Sequence, residues 1–197
     1  MDRTDSSLTL AHPRFAEALR ALGLDVEVRR FPDAVRTAAQ AADAIGCAPS
    51  EIVKSLIFTA WGSHCASEDE RGEDERGEGV RGEGVRGEGV RGEGVRVLVL
   101  MDGSSRVDVE LVRKELGASV VERAKPEVVR ETTGYAIGGV PPFGHRTRTT
   151  VLADRGLLDH PVVWAAAGTP HTVFPMDPRT LIAHAGGRVV DVRERTA

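Results

Sequence analysis

The sequence predicts an α+β fold: a single domain with a mixed, largely antiparallel sheet flanked by helices. Three observations carry that prediction. Helix-periodic stretches and β-branched apolar runs are mixed along 197 residues with no regular βαβ rhythm. The two clearest strand runs, IVKSLIFTAW (52–61) and VRVLVLMDG (95–103), flank a low-complexity segment and read as an antiparallel pair with an inflated hairpin loop. A 41% hydrophobic content suits one sizeable core, and no apolar run approaches the roughly eighteen residues of a membrane span.

The elements follow in order. Phe15, Ala18, Leu19 and Leu22 keep helical spacing, and Gly23 supplies a stop. Residues 25–31 (DVEVRRF) alternate like a strand. Thr37 to Gln40 has the form of a capping box, followed by the apolar stripe Ala38, Ala41, Ala42 and Ile45 and a terminating Gly46. Asp108 caps a third helix carrying Leu111, Val112 and Leu116, closed by Gly117. Pro126 opens a fourth helix that runs to about Thr133, before Gly134. Strands are expected at 148–153, 161–167, 171–175 and 188–192, and Asp177-Pro178 opens a last helix ending near His184 and Gly186.

Charge divides the chain into two unlike parts. Residues 66–96 hold ten acidic residues, six arginines and nine of the 22 glycines, so the whole formal charge of −4 sits there. From Arg76 the unit RGEGV occurs four times, after one degenerate unit at 71–75. A period of five fits neither helix nor strand, and solenoid repeats run to about 20–50 residues. The segment therefore reads as a flexible, solvated insert, interrupting a domain that spans 12–193. Loop entropy grows only logarithmically, so the domain tolerates it. Two cysteines make no disulfide framework, and the start MDRTDSSLTLAHPRF lacks a long apolar leader core. A secreted mini-protein, a membrane protein and a strongly basic nucleic-acid binder are excluded as first readings, which leaves a cytoplasmic protein as the expectation.

Three places stand out chemically. Lys54 shares a strand face with Ile52, Leu56 and Phe58, so it must find a partner, reach the rim or act in a site. GYAIGGVPPFGH (134–145) joins glycines that allow close backbone approach to prolines that stiffen the loop. Such a loop either makes a tight turn or aims N–H groups at a carbonyl oxygen or phosphate. In AAAGTPHTVF (165–174), Gly168, Thr169 and Pro170 break a strand just before His171, a structural histidine or a proton carrier. The other histidines are scattered, and none pairs with Cys47 or Cys65 at a zinc spacing, so no metal or other cofactor is expected. There is no GxSxG elbow and no HExxH helix, so a hydrolase here would work without a covalent nucleophile.

In this order, the helix leading into IVKSLIF (52–58), then GYAIGGVPPFGH, then AAGTPHTVF (166–174) resemble the YbaK/EbsC family, which is related to the editing domain of bacterial prolyl-tRNA synthetases. The resemblance covers roughly 12–65 and 97–193. It implies a freestanding deacylase that hydrolyses mischarged aminoacyl-tRNA, with Cys- or Ala-tRNA(Pro) as the family-weighted substrate. Lys54 matches the family's pocket lysine, Gly138, Gly139 and Pro142 the glycine-proline loop, and Gly168 a later glycine-containing segment. By the same resemblance Gly144, Thr169 and His171 belong to the substrate-binding set. The implied partners are a tRNA acceptor end carrying a non-cognate amino acid and, transiently, an aminoacyl-tRNA synthetase.

An aminoacyl ester is already activated, so a positioned water and a polarised carbonyl suffice. Backbone N–H groups at Gly138–Gly139 or Gly168–Thr169 would hold the oxyanion. Lys54 would anchor a terminal phosphate or ribose, and Arg29, Arg30, Arg36, Arg146 and Arg148 are dispersed candidates for further phosphate contacts. Two rival readings stay open: a binding module without turnover, and a metal-dependent hydrolase using His145 and His171.

Overall fold

A computed structural model describes residues 8–35, 37–62 and 94–195. The expected flexible insert lies outside the described residues except for Gly94, Val95 and Arg96, as do Arg36 and Cys65. Among the described residues, five α-helices and eight strands make up the α+β fold. The helices are α1 (Pro13–Ala21), α2 (Ala38–Ile45), α3 (Val109–Leu116), α4 (Pro126–Thr133) and α5 (Pro178–Ala185). The strands are β1 (Arg29–Arg30), β2 (Val53–Trp61), β3 (Val95–Asp102), β4 (Val120–Arg123), β5 (Thr150–Asp154), β6 (Val163–Ala166), β7 (Thr172–Met176) and β8 (Arg188–Val190).

The helix ends follow their capping chemistry. Thr37 accepts the Gln40 N–H, Asp108 those of Glu110 and Leu111, and Asp177 that of Thr180. Gly46, Gly117, Gly134 and Gly186 close four helices in the left-handed conformation. The run at 25–31 departs from the expected strand. Val26 and Val28 are buried and Glu27 is exposed, yet only Arg29 and Arg30 pair, with β7. Alternation placed the side chains, but among the described residues the strand pairing begins only at Arg29.

The strands form two sheets rather than one. A five-stranded sheet has the order β4-β2-β3-β5-β8 and a three-stranded one β1-β7-β6. The β2–β3 hairpin is antiparallel from Val53 opposite Asp102 to Ala60 opposite Val95. Val95 and Arg96, the last two residues assigned to the insert, are thus strand residues opposite Ala60 and Thr59. β5 adds to β3, and β8 to β5, in parallel.

One face of the larger sheet (Phe58, Val97, Val99, Leu152) packs under α3 through Val112. The other (Ile57, Leu98, Leu100, Val151) meets α1, α5 and the smaller sheet in the main core. There the Phe15 ring lies 5.3 Å from Phe143 and 5.1 Å from Phe174. α2 and Ile52 pack on Trp164 and Val173 of the smaller sheet in a third cluster. Among the described residues no helix is long and apolar enough to cross a membrane.

The partner of β2 on its outer side is short. β4 pairs only with Phe58 to Trp61, and a parallel bridge joins Ile52 to Trp164. The Ala124 N–H also donates to the Ile57 carbonyl at 2.9 Å, and between that bond and Ile52 the β2 backbone lines a pocket.

Candidate functional site

The pocket has a volume of about 400 Å³ and lies between the two sheets, bounded by α2, β2, the end of β4 and the loop after α4. Its walls are mostly apolar: Ala41, Ile52, Val129, Val140, Trp164 and Val173 line it. The polar groups are few, as in most ligand sites: Thr37, Ser55, Lys54 and Arg123. Both charged side chains on this lining are cationic, so the pocket favours electron-rich ligand groups such as phosphate or carbonyl oxygen. The Ser55 hydroxyl oxygen is buried and has no hydrogen-bond partner.

Lys54 sits near the start of β2, where the strand meets the turn after β3. Its Nζ donates to the Gly103 carbonyl at 3.3 Å and to the Ser105 carbonyl. An ammonium has three N–H donors, so one remains for a ligand. Burial pushes the Lys54 pKa down; Asp102 opposes this, while Arg123 and Arg106 add to it. The turn itself is shaped by Asp102. Its Oδ1 accepts the Ser104 N–H at 2.9 Å, the Ser104 hydroxyl at 2.5 Å and the Ser105 N–H at 2.9 Å. Burial pushes the Asp102 carboxyl up, but these bonds and the Arg193 charge outweigh it and hold the group below the ordinary carboxylate range.

The two glycine-containing segments come together. Gly138 lines the pocket in the left-handed region at φ +88°. Gly139 lies behind it: its N–H donates to the Ala136 carbonyl at 3.0 Å, and the Thr169 backbone fills the space a side chain would need. A Cβ at Gly139 would stand 2.7 Å from the Thr169 Cα. Thr169 shares a 2.7 Å hydrogen bond with the Thr172 hydroxyl and caps the His171 N–H at 3.2 Å.

The remaining sequence candidates frame the site from outside its lining. Pro142 is buried. The Gly144 carbonyl accepts the Tyr135 hydroxyl at 2.9 Å, and Ala18 stands 2.8 Å from where a Gly144 Cβ would lie. Gly168, at φ +95°, seats the start of α1, because a Cβ there would overlap His12. His171 is half-buried; its carbonyl accepts the Phe31 N–H at 2.7 Å, and its Nδ1 has no partner. His145 Nε2 lies 2.8 Å from the Pro141 carbonyl, and burial pushes its pKa down against that bond. Among the described residues no group of three or more His, Cys, Asp or Glu converges as a metal site. The candidate phosphate-contacting arginines are spread out: Arg29 stacks over Trp164 at 4.7 Å, while Arg146 packs beside Gly134 with Arg14.

Sequence reasoning missed Arg123, Thr37, Ser55 and Trp164 as pocket residues. Ser55 was the most accessible of these, since it adjoins Lys54. Arg123 ends a four-residue strand whose composition carries no periodic signal.

A small apolar pocket with a tethered lysine and a glycine wall defines a class of site. The family profile described as the aminoacyl-tRNA editing domain matches residues 86–183. A solved structure of a proposed trans-editing enzyme for prolyl tRNA synthetase is 34% identical with TM-score 0.72, covering 93% of this chain and 99% of its own. A scaffold protein used for computational epitope grafting is 31% identical with TM-score 0.72, covering 92% of this chain and 96% of its own. The Bacillus subtilis (strain 168) protein YwhH is 28% identical over 167 residues, which is 84% of this chain and 86% of YwhH. The chain belongs to the aminoacyl-tRNA editing domain family.

Proposed function

We propose that the protein hydrolyses mischarged aminoacyl-tRNA in trans, with Cys- or Ala-tRNA(Pro) as substrate, after a transient encounter with the synthetase that releases it. The observation that carries this reading is the pocket itself: apolar walls of amino-acid scale, with Lys54 and Arg123 as its cationic groups and Gly138 in its wall. The free N–H of Lys54 anchors the terminal phosphate or ribose. The amino acid enters between Val129, Val140 and Trp164, and its volume sets selectivity, at about 1–3 kcal/mol per methylene.

A water then attacks a carbonyl polarised by backbone amide at Gly138. The Gly139 N–H is already given to Ala136, which narrows the donor role to its neighbour. The vicinal ribose hydroxyl of the substrate assists proton transfer. Among the described residues the lining offers neither carboxylate nor imidazole, and this favours a substrate-assisted route over a side-chain base. That same inventory supports the second reading, a binding module without turnover.

The test is a deacylation panel of mischarged tRNAs with wild type and Lys54→Ala. Loss of an electrostatic contact in the transition state lowers the rate about 10²–10³-fold. Unchanged turnover in the variant removes Lys54 from the mechanism. Thermal stabilisation by an aminoacyl-adenosine analogue without any hydrolysis selects the binding module instead.

A further inference from the structure

Lys54 owes its position to atoms outside the pocket. Two of its donors are spent on the Gly103 and Ser105 carbonyls, so its ammonium can sit only where that turn presents them. The turn is wound around one carboxylate oxygen of Asp102, which collects three donors from Ser104 and Ser105. Asp102 is 1% exposed, and a carboxylate so buried needs a counter-charge. Its second oxygen has one in Arg193 Nη2 at 2.9 Å, an ion-pair contact without hydrogen-bond geometry.

The same nitrogen lies 3.0 Å from Asp154 Oδ1 on β5, so one guanidinium corner bridges two buried carboxylates. The Arg193 backbone is fixed as well. Val107 and Arg193 form an antiparallel bridge, and the Asp108 N–H donates to Val192 and the Glu194 N–H to Arg106. The Val192 N–H reaches Asp154 Oδ2 at 3.2 Å. Gly156 completes the slot, because a Cβ there would overlap the guanidinium. The segment that follows β8 is thereby laced to the turn that holds the lysine.

We propose that Arg193 is a positioning residue for the Lys54 ammonium, acting through Asp102 and the 103–105 turn. The inference rests on the editing reading for its consequence in catalysis, but not for its geometry. The charged groups around the relay are Asp102, Asp154 and Asp159 toward Arg193, and Asp102, Arg106 and Arg123 toward Lys54. Removing the Arg193 charge leaves Asp102 and Asp154 without their shared cation. The buried Asp102 carboxylate is left without its counter-charge, the turn wound on it relaxes, and the Gly103 and Ser105 carbonyls release Nζ to solvent.

Two readouts on Arg193→Gln test this. The first needs no substrate: the chain has three lysines, Lys54, Lys114 and Lys125, so isotope-labelled lysine NMR follows Lys54 through its titration. Burial holds the Lys54 midpoint low in the wild type, and in the variant it rises toward that of a solvated lysine while Lys114 and Lys125 stay put. The second is deacylation: kcat/KM falls about 10–10²-fold, the cost of a misplaced positioning group, and the acidic limb of its pH profile moves to higher pH. Arg193→Lys restores both readouts, because a single nitrogen makes both carboxylate contacts.

If Arg193→Gln fails to fold, Gly156→Ala takes its place. It keeps the charge but displaces the flexible end of Arg193, and the same changes are expected. A folded variant in which Lys54 titrates as in the wild type overturns the proposal. If the wild type deacylates nothing in the panel, the editing reading fails, and the Lys54 titration still decides the relay.

Discussion

Two adjacent glycines are expected to fail in opposite ways when replaced. In Gly139→Ala the new methyl stands 2.7 Å from both the Cα and the carbonyl carbon of Thr169, and 2.9 Å from its nitrogen. These are backbone atoms, and Thr169 is held by its 2.7 Å bond to Thr172, so no side chain can swing aside. Overpacking of this kind costs about 1–3 kcal/mol. For a chain of this size each kcal/mol lowers the melting temperature by about 2–4 °C, so a fall of about 4–8 °C is expected at the centre of that range. At Gly138 the nearest atom to an added Cβ is the Pro170 Cβ at 3.8 Å, an ordinary contact. The obstacle there is φ +88°, which Asn tolerates better than other L residues. Gly138→Asn should therefore cost less than about 1 kcal/mol of stability while its side chain obstructs the pocket and suppresses deacylation. Thermal melts by circular dichroism alongside the deacylation assay separate the two. Gly139→Ala melting within a degree of wild type, or below it by less than Gly138→Asn, would refute the packing argument.

Other outcomes follow from the same contacts. Ser55→Ala removes a buried hydroxyl with no partner, so its melting temperature should equal or exceed the wild type's while affinity for an aminoacyl-adenosine analogue, measured by calorimetry, falls. His145 has a folded pKa below its unfolded value of about 6.5, so its contribution is fully present above that pH and is lost as pH falls through the folded pKa. Melts between pH 7 and pH 5 should show this loss, and His145→Gln should flatten it in part, His12 being depressed as well, by burial and then Arg14. Replacing residues 66–93 by a short turn should preserve melting and deacylation. Carrying the deletion through Arg96 removes the rungs opposite Ala60 and Thr59, and should lower the melting temperature relative to the shorter deletion.

What the sequence made legible was local. Thr37, Asp108 and Asp177 announce helix starts because a short polar side chain can satisfy the first N–H groups from one position. The β2–β3 hairpin showed through its insert because its two runs are strongly apolar and adjacent in order. The division into two sheets was hidden, since no local pattern says that β7 pairs with β1 and β6 instead of joining β5. The site divides in the same way. Lys54 was conspicuous as a charge on an apolar face, and Gly138 as part of a glycine pair. Arg123 and the Gly103–Ser105 carbonyls reach Lys54 only through strand pairing and a turn. Nor does spacing show that Gly139 spends its N–H on Ala136, or that Gly168 is occupied by the start of α1. Such facts belong to three-dimensional neighbours, and a residue's identity does not encode them.

The short β4 strand has one more consequence. Sheet edges with unpaired N–H and C=O groups invite pairing with another chain, and proteins commonly blunt them with charge, proline or cover. Here the uncovered stretch of β2, rich in Val, Leu and Ile, is recessed between the two sheets, behind α2 and the Gly138 loop, where a foreign strand cannot lie alongside it. A ligand of a few atoms can enter where a polypeptide cannot. Recessing this strand behind the pocket also keeps it from edge-to-edge pairing, so variants that splay α2 or the Gly138 loop are expected to lose solubility.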